Sequence, residues 1–269
     1  MTLYADTPKT LTITDLMAMK AAGEKIACLT AYDASFAGLL DSAGIDILLV
    51  GDSLGMVIQG YSSTLPVSVD DMIYHSRSVA RARKRAFLIA DLPFASYATP
   101  TMALMNAARL MQSADVQMIK IEGCHIETFI TLTAQGIPVC GHLGLLPQSV
   151  HRLGGYRVQG RQQAQASRIL DDALAIERAG AQLLVLECVP AGLASDIAHK
   201  LRIPVIGIGA GADCDGQVLV LYDMLDIGVG HRPRFSKNFM TGNDSIAAAI
   251  RHYCTDVKRG VFPGPEHSY

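Results

Sequence analysis

The chain has no Cys-x-x-Cys pair, no excess of positive charge and no long apolar run, and each absence removes a class of function. Its six cysteines, at positions 28, 124, 140, 188, 214 and 254, are scattered. Several fall inside apolar strand-like runs, so they read as buried reduced thiols, not as disulfides or zinc ligands. A reducing compartment follows. The formal net charge is −2 with both signs interspersed, which provides no basic field for nucleic acid. The one cationic run, Arg81 to Arg85, reads as the last turn of a helix, where solvated cations suit the dipole. No stretch approaches the ~18 apolar residues a membrane span needs, and the first nine residues lack the apolar core of a signal peptide. The expectation is a soluble, cytoplasmic protein with neither nucleic acid nor membrane as partner.

What is present is apolar. Half of the 269 residues are hydrophobic and 18% are charged, enough for one large core and near the size of a (β/α)8 barrel. A single domain over 1–269 is expected. The chain is organised around Ile45-Asp46-Ile47-Leu48-Leu49-Val50-Gly51-Asp52-Ser53-Leu54-Gly55, an apolar run that ends in an acid, a hydroxyl and two glycines. Such a run reads as a strand buried on both faces, with its acid leaving the sheet at the C-terminal edge. Four more runs end likewise: Phe87–Ala90 in Asp91, Val116–Ile121 in Glu122, Val139–Gly141 in His142 and Leu183–Leu186 in Glu187. A parallel sheet carrying its site at the strand C-termini has this signature.

Taken in order, an extra N-terminal helix capped by Thr14 and stopped by Gly23 precedes a first strand at Ile26–Thr30. Helices are expected around Phe36 to Ala43, from Ser68-x-x-Asp71 into the basic run, and from Thr99-Pro100 with Leu104, Ala108 and Met111 inward. Further ones carry Ile126 and Ile130 inward, run from about Gln162 to Arg178, from Pro190 to Leu201, and from Ile246 to Gly260. The remaining strands fall at Ile203–Ile208 and Gln217–Tyr222. Residues 59–67 and 142–161 lack any period, are rich in turn residues and read as long loops covering a site. Eight strands alternating with helices select a barrel over an open sheet.

Asp52, Asp91 and Glu122, on adjacent strand ends with no His or Cys among them, form an oxygen-rich site suited to a hard cation such as Mg²⁺. Alternatively, each acid caps the helix that follows. Lys120 precedes Glu122 by two, so both point into the barrel. There it forms an ion pair with Glu122 or Asp91, or captures a substrate carboxylate. Glu187, among apolar neighbours, is a general base raised by burial or a cap for the next helix. His142 is a second acid/base or a hydrogen-bonded barrel residue. Gly207-Ile208-Gly209-Ala210-Gly211, with Asp226 beyond it, weakly matches a dinucleotide fingerprint. Close backbone approach to a ligand at the barrel top is the better reading.

These residues resemble the ketopantoate hydroxymethyltransferase family. The resemblance is carried by Leu29-Thr30-Ala31-Tyr32-Asp33, Val50-Gly51-Asp52-Ser53-Leu54-Gly55-Met56, Ser63-Thr64-Leu65-Pro66-Val67, Ala90-Asp91-Leu92-Pro93-Phe94 and Ile119-Lys120-Ile121-Glu122-Gly123. Pro138-Val139-Cys140-Gly141-His142-Leu143-Gly144, Leu184-Val185-Leu186-Glu187-Cys188, Ile206 to Gly211 and Lys237-Asn238-Phe239 add to it. Cys124, Leu146 and Ser68 depart from the family's usual residues, and none is a proposed ligand. The resemblance implies that Asp52 and Asp91 ligate Mg²⁺ with Glu122 supporting it, that Ser53 and Lys120 hold the substrate carboxylate, and that Glu187 is the base. It further implies 5,10-methylenetetrahydrofolate as co-substrate, a 2-oxo acid as acceptor, and a homodecamer. A carbon–carbon lyase or phosphonomutase, and a non-catalytic anion-binding barrel, are the competing readings.

Overall fold

Short runs that are apolar throughout form strands buried on both faces, with helices packed outside and side chains filling the inside. In the computed structural model, which describes residues 9–228 and 232–269, these strands are β1 (Ile26–Thr30), β2 (Ile47–Val50), β3 (Phe87–Asp91), β4 (Met118–Glu122), β5 (Val139–Gly144), β6 (Leu183–Glu187), β7 (Val205–Ile208) and β8 (Gly216–Leu219). Each pairs in parallel with the next, and β8 closes on β1 from Ile26↔Gly216 to Leu29↔Leu219. The expected (β/α)8 barrel is thus formed. The strand expected at Gln217–Tyr222 ends at Leu219, because Leu221 and Tyr222 already belong to a short helix.

The helices are α1 (Ile13–Ala21), α2 (Ala34–Ser42), α3 (Leu54–Val57), α4 (Val69–Ala82), α5 (Pro100–Ala114), α6 (Ile126–Ala134), α7 (Val150–Leu153), α8 (Gln163–Arg178), α9 (Ala191–Lys200), α10 (Leu221–Met224) and α11 (Ile246–Lys258). The extra helix α1 starts ahead of the expected Thr14 cap. Thr12 caps it and closes a capping box with Asp15, whose carboxylate accepts from the Thr12 N–H at 2.8 Å. It buries Leu16 and Met19, and Lys20 reaches Asp215 at 2.7 Å at the N-terminal end of β8. The capping box predicted at Ser68 and Asp71 is present, as is the Thr99 cap with Pro100 in the first turn.

Three surface expectations are corrected. The basic run is a solvated helix end only in part: Arg81 is exposed in the last turn of α4, which stops at Ala82, but the buried Arg83 side chain donates to Gln117 and to Asp115, the latter at 2.7 Å. Arg85 pairs with Asp46, which is fully buried, so these cations tie the entries of β2, β3 and β4 together. On α5 the fully buried face is Ala103, Ala107, Leu110 and Ala114, one position off the expected stripe, whose Leu104 and Met111 pack on the core while partly buried. On α6, Ile126 packs on the core but Ile130 is 53% exposed, because Phe129 and Leu132 take the inward positions. One residue turns a helix face by ~100°, so small differences in apolar size mislead there.

All six cysteines are free thiols, as expected. No helix among the described residues is long and apolar enough to cross a membrane. Residues 1–8, which carried the reading of the N-terminus, lie outside the described residues.

Candidate active site

Strand polarity puts the ends of β2 to β6 on one rim of the barrel, and side chains two apart on a strand share a face. Asp91 at the end of β3 is in register with Lys120 on β4, and the Lys120 ammonium donates to Asp91 Oδ1 at 2.9 Å. The Asp52 N–H, just past β2, donates to Asp91 Oδ2 at 3.1 Å. Glu122, two residues beyond Lys120, is in register with His142 on β5. The imidazole spans two acids: Nδ1 lies 3.7 Å from Glu122 and Nε2 lies 3.3 Å from Glu187. Gly144 has φ +92, and a Cβ there would sit 2.2 Å from the Glu187 carbonyl. Only glycine lets β5 leave the sheet so close to the strand that presents Glu187.

Asp52, Ser53, Asp91, Lys120, Glu122, His142 and Glu187 all line one cavity of about 560 Å³. The structure therefore brings together every site residue expected from the sequence. None of the four acids caps a helix: Ser53, Thr99, His125 and Pro190 occupy the N-cap positions after these strands. For Lys120 the ion pair with Asp91 is realised, and the same ammonium borders the cavity. Both long loops reach the rim, the first through Thr64 and the second through Leu145, Pro147, Tyr156 and Val158.

Four buried or nearly buried carboxylates share a single ammonium, and their protonation reflects it. Burial, and then the Asp91 charge, push Asp52 up to about 7. Burial likewise pushes Glu187 to about 7, with Lys120 opposing and Asp91 assisting. Glu122 is driven well above the ordinary carboxylate range by burial, then by its acidic neighbours against the pull of Lys120. Burial would lower Lys120, but Asp91, Glu122 and Asp52 outweigh it and hold the ammonium charged. His142 is kept neutral by burial and by Lys120.

Two residues that sequence reasoning missed hold this arrangement. Gln148 lies in the second covering loop; its side-chain amide donates to Asp52 at 2.7 Å and to the Leu92 carbonyl at 3.0 Å, while its N–H donates to Glu122 at 3.0 Å. The Tyr97 hydroxyl donates to the Gln148 side-chain amide oxygen Oε1. The only sequence signal for Gln148 was its place in the long glycine-rich stretch that follows His142. The Gly207–Gly211 run, by contrast, is crowded by protein: a Cβ at Gly209 would meet Phe235 at 3.0 Å and one at Gly211 would meet Ala191 at 2.6 Å. Packing beneath the rim, not approach to a ligand, accounts for these glycines.

Among the described residues, no three His, Cys, Asp or Glu side chains converge as a ready-made metal cage. Glu122 is turned toward the Gln148 N–H and His142. Asp52 and Asp91 remain as a close pair of oxygen donors. Two carboxylates completed by substrate oxygens and water suit Mg²⁺, and the surplus of negative charge around one ammonium fits a divalent cation.

A closed parallel barrel with acids converging at its strand C-termini defines an enzyme of the (β/α)8 class. Solved structures agree on the fold. The chain aligns with 2,3-dimethylmalate lyase, a member of the PEP mutase/isocitrate lyase superfamily, at a TM-score of 0.57 and 17% identity over 94% of this chain and 89% of that one. It aligns with phosphonopyruvate hydrolase, solved in complex with oxalate and Mg²⁺, at a TM-score of 0.59 and 12% identity over 77% and 80%. The family model for ketopantoate hydroxymethyltransferase matches residues 10–265. The 3-methyl-2-oxobutanoate hydroxymethyltransferase of Shewanella loihica is 59% identical over 96% of this chain and 98% of its own length. The chain belongs to the ketopantoate hydroxymethyltransferase family, and it is a transferase. The lyase and phosphonomutase reading survives as kinship of fold alone.

Proposed function

We propose that the cavity transfers a hydroxymethyl group from 5,10-methylenetetrahydrofolate to 3-methyl-2-oxobutanoate, giving ketopantoate for pantothenate and coenzyme A synthesis. The observation that carries this reading is Glu187, a carboxyl poised near 7 in the same cavity as the Asp52–Asp91 pair and Lys120. A base with that value is half deprotonated at neutral pH and still strong enough to take a carbon-bound proton. Asp52 and Asp91 would hold Mg²⁺, with Glu122 beside them in support; phosphonopyruvate hydrolase, which shares the fold, was solved with Mg²⁺ and oxalate together. When bound, the ion supplies a Lewis acid that polarises the 2-oxo group.

Lys120 and Ser53 hold the substrate carboxylate; the Ser53 hydroxyl is positioned 2.9 Å from that of Tyr32. Glu187 removes the proton from C3, and the electron pair so freed forms a bond to the one-carbon unit of the folate. The carbon–nitrogen bonds to that unit break, one water is consumed, and its oxygen becomes the product hydroxyl. Leu145, Pro147 and Tyr156 line the rim beside these residues.

The test is exchange of the C3 hydrogen of 3-methyl-2-oxobutanoate in deuterated water, followed by NMR with Mg²⁺ and no folate, and then ketopantoate formation once folate is added. Exchange without folate and product with it are expected. Failure of both would overturn the reading.

A further inference from the structure

A second cavity of about 620 Å³ adjoins the acid-lined one, and Ser53, Met56, Val220, Asp223 and Pro233 border both. Its walls come from two segments at the strand C-termini. The stretch after β2 contributes Met56, Ile58 and Tyr61, and the stretch after β8 contributes Tyr222 and Asp223. Large apolar side chains are normally withdrawn from water, yet Met56, Ile58 and Tyr61 are 37%, 39% and 49% exposed here. Asp223 is half-buried and accepts no side-chain hydrogen bond from a described residue; burial pushes its carboxyl to about 6 against the opposing charge of Arg232, which lines the same cavity.

We propose that this second cavity is the seat of the pterin ring of the reduced folate, with the Asp223 carboxylate accepting hydrogen bonds from the ring's 2-amino and N3–H groups. The inference rests on the hydroxymethyltransferase reading and adds to it where the donor sits. The chemistry of the site matches that ring and not the small oxo acid. The pyrimidine half of a reduced pterin is a planar ring whose faces stack on aromatic and apolar side chains and whose 2-amino and N3–H groups are adjacent donors along one edge, and a carboxylate is the side chain that accepts two such bonds at once. Tyr61, Ile58 and Met56 provide the aromatic and apolar wall against which the face of such a ring packs. The position is also right: Asp223 and Glu187 face the same acid-lined cavity. A pterin anchored at Asp223 therefore presents its one-carbon unit toward the carbon from which Glu187 takes the proton.

The test uses tetrahydrofolate as probe, bound anaerobically to the full-length protein and followed by calorimetry, alongside the KM for each substrate and folate-free C3 exchange. Asp223→Asn keeps the shape but places an amide donor against the ring's donors. It should weaken tetrahydrofolate binding and raise the folate KM by about tenfold or more. The oxo-acid KM should hold. Tyr61→Ala, at an exposed position where folding is not at stake, should weaken folate binding by about threefold to tenfold through lost packing.

Unchanged folate affinity in both variants would overturn the proposal while leaving the hydroxymethyltransferase reading intact. A rise in the oxo-acid KM, or loss of folate-free exchange, in Asp223→Asn would instead assign Asp223 to the acid site and also overturn it. A change of oligomeric state in Tyr61→Ala with folate binding unaltered would assign the wall to a subunit contact, with the same consequence. If the parent protein exchanged C3 hydrogen but bound no tetrahydrofolate, the proposal would fall together with the folate donor.

Discussion

His142 Nε2 lies 3.3 Å from Glu187 Oε2, while Nδ1 of the same ring faces Glu122 at 3.7 Å. Burial and Lys120 keep the ring neutral, so it has a single N–H to give. Neither ring nitrogen is in hydrogen-bonding geometry with a partner, so the neutral ring stands between the two acids as a close neighbour that separates Glu122 from Glu187.

The Glu187 value of about 7 sets a pH dependence. A protonated carboxyl cannot accept the C3 proton, so the base is competent only above its own pKa. kcat/KM for C3 exchange should therefore rise about tenfold per pH unit below 7 and level off above it. In Glu187→Gln the rate should fall by about 10²–10⁴-fold and the rising limb should disappear. A limb that persists unchanged in the variant would move the base elsewhere, with His142 the next candidate.

Lys120 is the buried ammonium that pairs with Asp91 among the acids at the strand ends, and its removal should be felt in binding. Lys120→Met should raise the oxo-acid KM by about tenfold or more, because a desolvated carboxylate loses its counter-charge. Steady-state kinetics with saturating folate measures this directly, and an unchanged value would confine Lys120 to its ion pair with Asp91.

How far the site was legible depends on what each residue needs from the fold. Asp52, Asp91, Glu122, His142 and Glu187 stand at the ends of apolar runs, and strand polarity alone puts such residues on one rim. Lys120 was legible from its spacing to Glu122. Gln148 was not, because a glutamine in a loop without a period acquires meaning only when the loop folds over Asp52 and Glu122. Asp223 was hidden for a related reason: the strand expected through Tyr222 ends at Leu219, and a short helix turns the acid toward the cavities. Arg83 and Arg85 were misread as solvated because their partners, Asp115 and Asp46, are distant in sequence.

Asp46 shows what that oversight concealed. It is fully buried, accepts from the Ala27 N–H at 3.0 Å, and pairs with both Arg85 and Lys258. It thereby joins β1, the entry of β2 and the last helix. Asp46→Ala leaves two cations facing a buried void and should destabilise the fold by about 3–5 kcal/mol, read as a lower urea midpoint at unchanged slope. A loss below about 1 kcal/mol would mean that water replaces the carboxylate there.

The last prediction concerns Gln148, which touches two acids without itself carrying charge. Its amide N–H bonds Asp52 on one side and the Leu92 carbonyl on the other, so both amide hydrogens are engaged, and Tyr97 fixes the amide oxygen. Gln148→Leu removes all three side-chain bonds but keeps the N–H that holds Glu122. Asp52, already pushed to about 7, then loses a donor that favours its charged form, so its pKa rises further and less of it is ionised at neutral pH. Partners that orient a metal ligand typically matter by about 10–100-fold in affinity. Mg²⁺ binding, measured by calorimetry at pH 7, should weaken within that range in Gln148→Leu. Tyr97→Phe leaves the amide in place with only its orientation loosened, and should weaken binding less. The deficit in Gln148→Leu should shrink at pH 9, where Asp52 is ionised in either protein; a deficit that stays constant from pH 7 to 9 would show that Gln148 acts on the position of Asp52 and not on its charge.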